Sequence, residues 1–180
     1  MGLAKQRGFF GIGAEGISKP LNFGNLVRSA HAFGASFVFT VDPDKRIGAV
    51  HSDTSRTPLH VPCFSWKNAK DMNLPQGCRL VGVELLDEAV DLPSFRHPGR
   101  AAYVLGAERG SLSPAMLEKC DLVVKIPTAF CINLAVAGAI VMYDRIKTLG
   151  RFAPPPVSPG GKIETLPEHV QGKVTIRTES

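Results

Sequence analysis

Apolar positions along the chain follow two rhythms. Continuous apolar runs, rich in β-branched and aromatic residues, predict strands near Gly8–Ile12, Ser36–Val41, His60–Phe64, Arg79–Glu84, Ala101–Leu105 and Leu122–Ile126. Between them, helical spacing predicts helices at Phe23–Phe33, Ser65–Met72, Pro114–Lys119 and from Ile132 to about Leu149. Strands separated by helices read as βαβ units: an α/β fold with a mostly parallel sheet and helices on both faces. Runs such as "FVFTV" and "DLVVKI" do not alternate, which suits strands buried on both sides.

Two of the helices have informative surfaces. In the first, Leu26, Ala30 and Phe33 form the core stripe, Asn22 is placed to cap the start and Gly34 to end it. Asn25 and Arg28, three apart, share a more polar face, and an arginine beside amides suits an anion such as a phosphodiester. A capping amide and a solvated arginine would look the same. The last helix is apolar almost all round, with Asn133 at its beginning. It is expected to be buried on every side, between the sheet and a second element such as another copy of the chain.

From Arg151 the composition turns to proline and glycine, so residues 1–150 are expected to form one domain and 151–180 an extended or disordered tail. The longest apolar stretch, Ile132–Tyr143, is too short to span a bilayer. No apolar segment follows Lys5 and Arg7 as a secretion signal would require, and a cytoplasmic, membrane-free protein is expected. The net charge of +5 permits an anionic partner. Cys63, Cys78, Cys120 and Cys131 form no C-x-x-C pair, so no metal site is expected, and the first three read as small buried hydrophobes.

Gly11, Gly13 and Gly16 spell G-x-G-x-x-G after an apolar pair, and Asp42 ends the next strand as a ribose-binding acid would. A dinucleotide site needs a helix to open at those glycines. Pro20 keeps Lys19 out of the helical region, so the helix starts too late. The glycines are instead expected to form a flexible loop after the first strand. Further on, "LGAERGSLSP" puts Gly106 and Glu108 at a strand's carboxyl end, where open α/β sheets bind ligands, with Ser113-Pro114 starting a helix. In "KIPTAFCINLAVAGAIVMYDR", a strand ends at Ile126-Pro127 and a short loop leads into the last helix.

Taken in order, "NFGNLVRSAHAFGA", "LGAERGSLS" and "IPTAFCINLAVAGAIVMYDR" resemble the three motifs of the SPOUT-class RNA methyltransferases, specifically the SpoU or TrmH-type 2′-O-ribose methyltransferases. The resemblance runs from about Phe10 to Arg145. It implies a C-terminal trefoil knot, S-adenosylmethionine bound in the knot, and a homodimer with its site near the subunit interface. It further implies a catalytic role for Arg28 on the ribose 2′-OH, with Asn22, Glu108 and Asn133 as the other motif residues. Leu105, Gly106, Ala107, Ile126, Cys131, Ile132 and Ala135, with Val83 at the adenine, would hold the methyl donor. Cys131 stands where the family often has serine, Ser111 replaces a common glycine, and the loop from Pro127 to Cys131 is short.

The reaction implied is methyl transfer to a ribose oxygen of RNA, with transfer RNA expected because little chain precedes Phe9 for a separate RNA-binding domain. Ribosomal RNA, a base as acceptor, a non-catalytic RNA-binding homologue and a nucleotide-dependent oxidoreductase are the alternatives.

Overall fold

The computed structural model describes residues 8–47, 61–107, 110–150, 152, 155–156 and 158–162. Its strands are β1 (Phe9–Glu15), β2 (Phe37–Val41), β3 (Cys63–Trp66), β4 (Arg79–Val83), β5 (Val90–Asp91), β6 (Arg100–Leu105) and β7 (Leu122–Lys125). Its helices are α1 (Pro20–Ala32), α2 (Pro114–Lys119) and α3 (Leu134–Leu149). The strands form one sheet, ordered β3-β2-β1-β6-β4-β7-β5, in which every pairing is parallel. The chain builds outward from β1 through β2 to β3, then resumes on the other side with β4, β6 and β7. Such a reversal opens a crevice at the carboxyl ends of the strands.

Alternate side chains of each central strand enter different cores, as the period of two requires. Phe10, Ile12, Val38, Val81, Tyr103 and Leu105 pack with α1 and α3 on one face. Phe37, Phe39, Leu80, Ala102 and Val104 pack with Met116 of α2 on the other. Helices therefore cover both faces, as the unalternating strands predicted. Residues 1–150 make one compact unit and 151–180 a second, in which Gly161 N–H donates to Ser158 O in a turn.

The G-x-G-x-x-G loop expectation is overturned. Gly11 and Gly13 lie inside β1. A Cβ on Gly11 would stand 2.2 Å from the Phe37 ring, and one on Gly13 2.2 Å from Phe39 O. These glycines make room for the aromatic side chains of β2. Gly16 makes the turn that follows, at φ +63°.

The predicted helix at Ser65–Met72 is also absent. Ser65 and Trp66 belong to β3, in register with Thr40 and Val41. Phe64 and Trp66, two apart, stack with centroids 6.1 Å apart and pack on Phe37 and Phe39, a strand's spacing rather than a helix's. Asn68 then turns the chain, its Oδ1 accepting from Asp71 N–H at 3.0 Å. The start of the predicted strand, at His60, lies outside the described residues. Two short elements were not predicted, β5 and the 3-10 turn Leu92–Ser94.

Within this single chain, helix α3 is buried on one side. Leu134, Ala137, Gly138, Val141 and Met142 face the core, while Val136 (50% exposed), Ile140 and Tyr143 (61%) line an outer face of this chain. Cys63, Cys78 and Cys120 are half-buried. Burial pushes Cys63 and Cys120 up to about 12 and Cys78 to about 11, so all three stay protonated and act as apolar filler.

At the amino ends of the strands, Arg145 of α3 is fully buried. Its guanidinium donates to Pro98 O (2.6 Å), Gly99 O (2.9 Å) and the Tyr103 hydroxyl (3.1 Å), and its Nε has no partner. Tyr103 Oη lies 2.6 Å from His97 Nδ1, and His97 Nε2 lies 3.0 Å from Asp144 Oδ2. The neighbours assign the tautomer. With Asp144 accepting from Nε2–H, Nδ1 is bare and accepts from the tyrosine, whose oxygen accepts from Arg145. Each hydrogen in this chain of bonds has one place to go, and a neutral His97 completes it.

Candidate active site

Five structural segments converge at the carboxyl edge of the sheet. Strands β4 and β6 end at Val83 and Leu105, β7 runs into Ile126, and the amino ends of α1 and α3 lie alongside. Together they enclose a cleft of about 580 Å³. Apolar walls with a few convergent polar groups are the usual make-up of a small-molecule site of this size.

Of the residues named for the methyl donor, Val83, Leu105, Gly106, Ala107, Ile126, Cys131 and Ile132 all line the cleft. Ala135 does not: it is buried in the core, and its N–H donates to Asn133. At Gly106 the Glu84 carboxylate and the loop backbone leave no room for a side chain. A Cβ there would meet Glu84 Oε2 at 2.8 Å and Leu112 N at 3.1 Å.

Asn22 and Asn133, from the first and third motifs, meet at the cleft. Asn133 caps α3, its Oδ1 accepting from Ala135 N–H (2.9 Å) and Val136 N–H (3.4 Å). With the oxygen so occupied, its Nδ2 donates to Asn22 Oδ1 at 3.1 Å. Asn22 is not the cap of α1. The cap position is Lys19, held extended at φ −100° and ψ 113° by Pro20, which is the first helical residue. Asn22 therefore lies in the first turn, where its buried amide faces Asn133 instead of its own backbone. Ser113 caps α2 as predicted, accepting from Met116 N–H at 3.1 Å.

Arg28 is exposed on α1 and does not line the cleft of its own chain. Glu108 lies outside the described residues.

Two carboxylates that sequence reasoning did not single out hold the loop after β6. Glu84 Oε2 accepts from Leu112 N–H at 2.8 Å and its Oε1 from Leu85 N–H at 3.1 Å. Glu15 accepts from both N–H and hydroxyl of Ser113, at 2.8 and 2.7 Å. Glu84 stands just past a strand's carboxyl end, the same position that drew attention to Glu108, and could have been found by that rule. Lys19, Ser111 and Thr128 are further unpredicted lining residues. Among the described residues no cluster of side chains could hold a metal ion, and no helix is long and apolar enough to cross a membrane.

Comparison with known proteins places this geometry in a family. Residues 10–143 match the model of the SpoU rRNA Methylase family. The mouse (Mus musculus) tRNA (guanosine(18)-2′-O)-methyltransferase TARBP1 is 28% identical over 157 residues, covering 77% of this chain and 10% of the relative. The 23S rRNA (guanosine-2′-O-)-methyltransferase RlmB of Nitrosomonas europaea is 31% identical over 144 residues, covering 74% and 54%. The chain thus spans about half of one relative and a tenth of the other. An AdoMet-bound rRNA methyltransferase from Sinorhizobium meliloti superposes with a TM-score of 0.66 at 21% identity, covering 80% of this chain and 58% of that one. That likeness shows the fold, which is the α/β fold of the knotted SpoU class. The chain belongs to the SpoU rRNA methylase family.

Proposed function

We propose that this chain is the catalytic unit of an S-adenosylmethionine-dependent RNA 2′-O-ribose methyltransferase that works as a homodimer. The observation that carries the reading is the Asn133–Asn22 hydrogen bond at the cleft, which joins two of the three motifs on one wall, beside Leu105, Gly106 and Ala107 of the other.

The cleft suits the donor. Its apolar walls, at Val83, Leu105, Ile126, Ile132 and Leu134, fit an adenine. When bound, the donor supplies an electrophilic methyl group on a sulfonium. Leu105, Gly106, Ile126, Cys131 and Ile132 hold it, while Asn22 and Asn133 fix the relative position of α1 and α3. Arg28 binds the ribose oxygen and the neighbouring phosphate, the bidentate work to which a guanidinium is suited. The hydroxyl proton passes to the phosphate that Arg28 holds. Aligning acceptor and donor at near-attack distance is then the main contribution of the protein.

The outer face of α3 supports the dimer. Val136, Ile140 and Tyr143 are spaced four and three apart on one side of the helix, and Leu21 and Phe130 are also exposed. A second copy covering this face would bring its own Arg28 to the cleft. Nothing at the glycines of β1 supports the dinucleotide alternative, since they are filled by Phe37 and Phe39. Transfer RNA is the proposed acceptor, as named for the mouse relative, with ribosomal RNA, named for the Nitrosomonas protein, as the second arm of the test.

The test is calorimetry with S-adenosylhomocysteine, followed by transfer of labelled methyl to bulk transfer RNA and, separately, ribosomal RNA. A methylated ribose makes its phosphodiester resistant to alkali. Label recovered in alkali-resistant dinucleotides supports the reading. Label on a base, or no transfer despite donor binding, overturns it.

A further inference from the structure

Among the described residues lining the cleft, two carry charge, Lys19 and Glu84. They are not equivalent. Both oxygens of Glu84 accept backbone N–H groups, from Leu85 and Leu112. Lys19 is exposed and pairs with no carboxylate among the described residues. Asp44, whose N–H donates to Ile17 O, is held by Arg46 at 2.8 Å. Lys125, at the end of β7, has its ammonium on two carbonyls, Leu86 O (3.2 Å) and Asp87 O (2.9 Å). Arg28 lies outside the cleft of its own chain. Among the described residues Lys19 is therefore the one cation lining the cleft, outside any ion pair and on the same wall as the Asn22–Asn133 pair.

The backbone there is fixed. Pro20 confines Lys19 to the extended region, and Lys19 O accepts from Phe23 N–H at 3.2 Å. The side chain leaves a fixed point at the cleft wall.

We infer that Lys19 is an oxyanion-binding residue of the cleft, the positive group that complements Arg28 from within the same chain. This rests on the methyltransferase reading above. Two oxyanions come with that chemistry, the carboxylate at the methionine end of the donor and a phosphodiester of the RNA. The shared chemistry is a charge-assisted hydrogen bond from the ammonium.

The experiment separates the two sources. Lys19→Gln keeps a polar side chain, one atom shorter, and removes its charge at an exposed site, so the fold is retained. S-adenosylhomocysteine, which carries the carboxylate, and 5′-methylthioadenosine, which lacks it, are titrated into wild type and variant. Bulk transfer RNA is titrated at several salt concentrations. If the anion is the donor's, the variant binds S-adenosylhomocysteine roughly five- to tenfold more weakly. Methylthioadenosine affinity then stays unchanged. If the anion is the RNA phosphate, RNA affinity falls instead, and the slope of log affinity against log salt drops by about 0.7–0.9, one contact's worth. In either case Lys19→Arg recovers most of the loss.

Wild-type binding of both ligands with no change in either arm for Lys19→Gln overturns the inference and leaves the methyltransferase reading standing. A wild-type chain that binds neither S-adenosylhomocysteine nor RNA overturns that reading itself.

Discussion

Asn133 and Asn22, 111 residues apart, share a hydrogen bond of 3.1 Å through which the cap of α3 grips the first turn of α1. One amide thus has two duties, and substitutions separate them. Asn133→Ala loses both and should cost about 1–2 kcal/mol in urea unfolding, the range for a lost helix cap. Asn133→Asp keeps acceptors for Ala135 and Val136 but sets an oxygen against Asn22 Oδ1. It should regain part of that stability while remaining as defective as the alanine variant in S-adenosylhomocysteine binding and methyl transfer. Equal donor affinity in Asn133→Asp and wild type would show that the bond to Asn22 does not shape the cleft.

The glycines of β1 and α1 have opposite reasons to be glycine. At Gly13 an added Cβ would sit 2.2 Å from Phe39 O, a backbone atom that cannot swing away. Gly13→Ala should therefore destabilise by about 2–3 kcal/mol, at the upper end of overpacking effects. At Gly24, inside α1, nothing lies within 4 Å of the added carbon. Gly24→Ala should raise stability by about 0.5–1 kcal/mol through helix propensity. Thermal unfolding of both variants checks the pair, and a shift of the same sign in the two would contradict the packing explanation.

These positions also show what could be read from the chain before folding. Unalternating strands and a delayed helix after Pro20 are local properties, so the parallel sheet and the failure of the dinucleotide reading were visible. That Gly13 belongs to the strand itself was not, because the reason lies in Phe39 of a neighbouring strand. Ser65–Met72 shows the same limit. Its helical appearance loses to the pairing of Ser65 and Trp66 with β2 and the turn at Asn68. In the site, motif order pointed to Asn22 and Asn133 but misjudged Asn22 as a cap, since its partner arrives from the far end of the chain. Lys19 carries no motif, and it is the cleft that brings it to notice.

His97 makes stability pH-dependent in a known direction. Burial is the main cause that lowers its pKa, and the neighbouring Arg145 charge adds to it, while Asp144 opposes both. Below about pH 6.5 an unfolded histidine takes up a proton. The folded residue resists it, because a proton on Nδ1 would displace the Tyr103 hydrogen bond. The contribution of His97 is thus fully present above the ordinary histidine value and is lost as pH falls below it. The limiting slope is about 1.4 kcal/mol per pH unit. Urea unfolding between pH 8 and 5 should show this fall in wild type and not in His97→Gln, once the variant's constant loss is subtracted. A difference between the two proteins that stays flat with pH would mean that His97 does not titrate on unfolding.

The proposed dimer makes a prediction about Arg28 that no single variant tests. Arg28→Ala leaves its own cleft intact but cannot supply a guanidinium. Gly106→Val leaves Arg28 intact but places a side chain where the Glu84 carboxylate and Leu112 N already lie 2.8 and 3.1 Å from a Cβ. Each homodimer should be inactive. If Arg28 serves the partner's cleft, a mixed dimer has one complete site, formed by the Arg28→Ala cleft and the other chain's Arg28. Equal mixing after denaturation and refolding should then restore about a quarter of wild-type turnover, because half the dimers are mixed and each has one working site of two. An arginine acting within its own chain would restore none. Tyr143→Glu, which buries a charge in the apolar face of α3 only when two copies pair, should give monomers in sedimentation and abolish the recovery. Recovery that survives in those monomers would break the link between the outer face of α3 and the placement of Arg28.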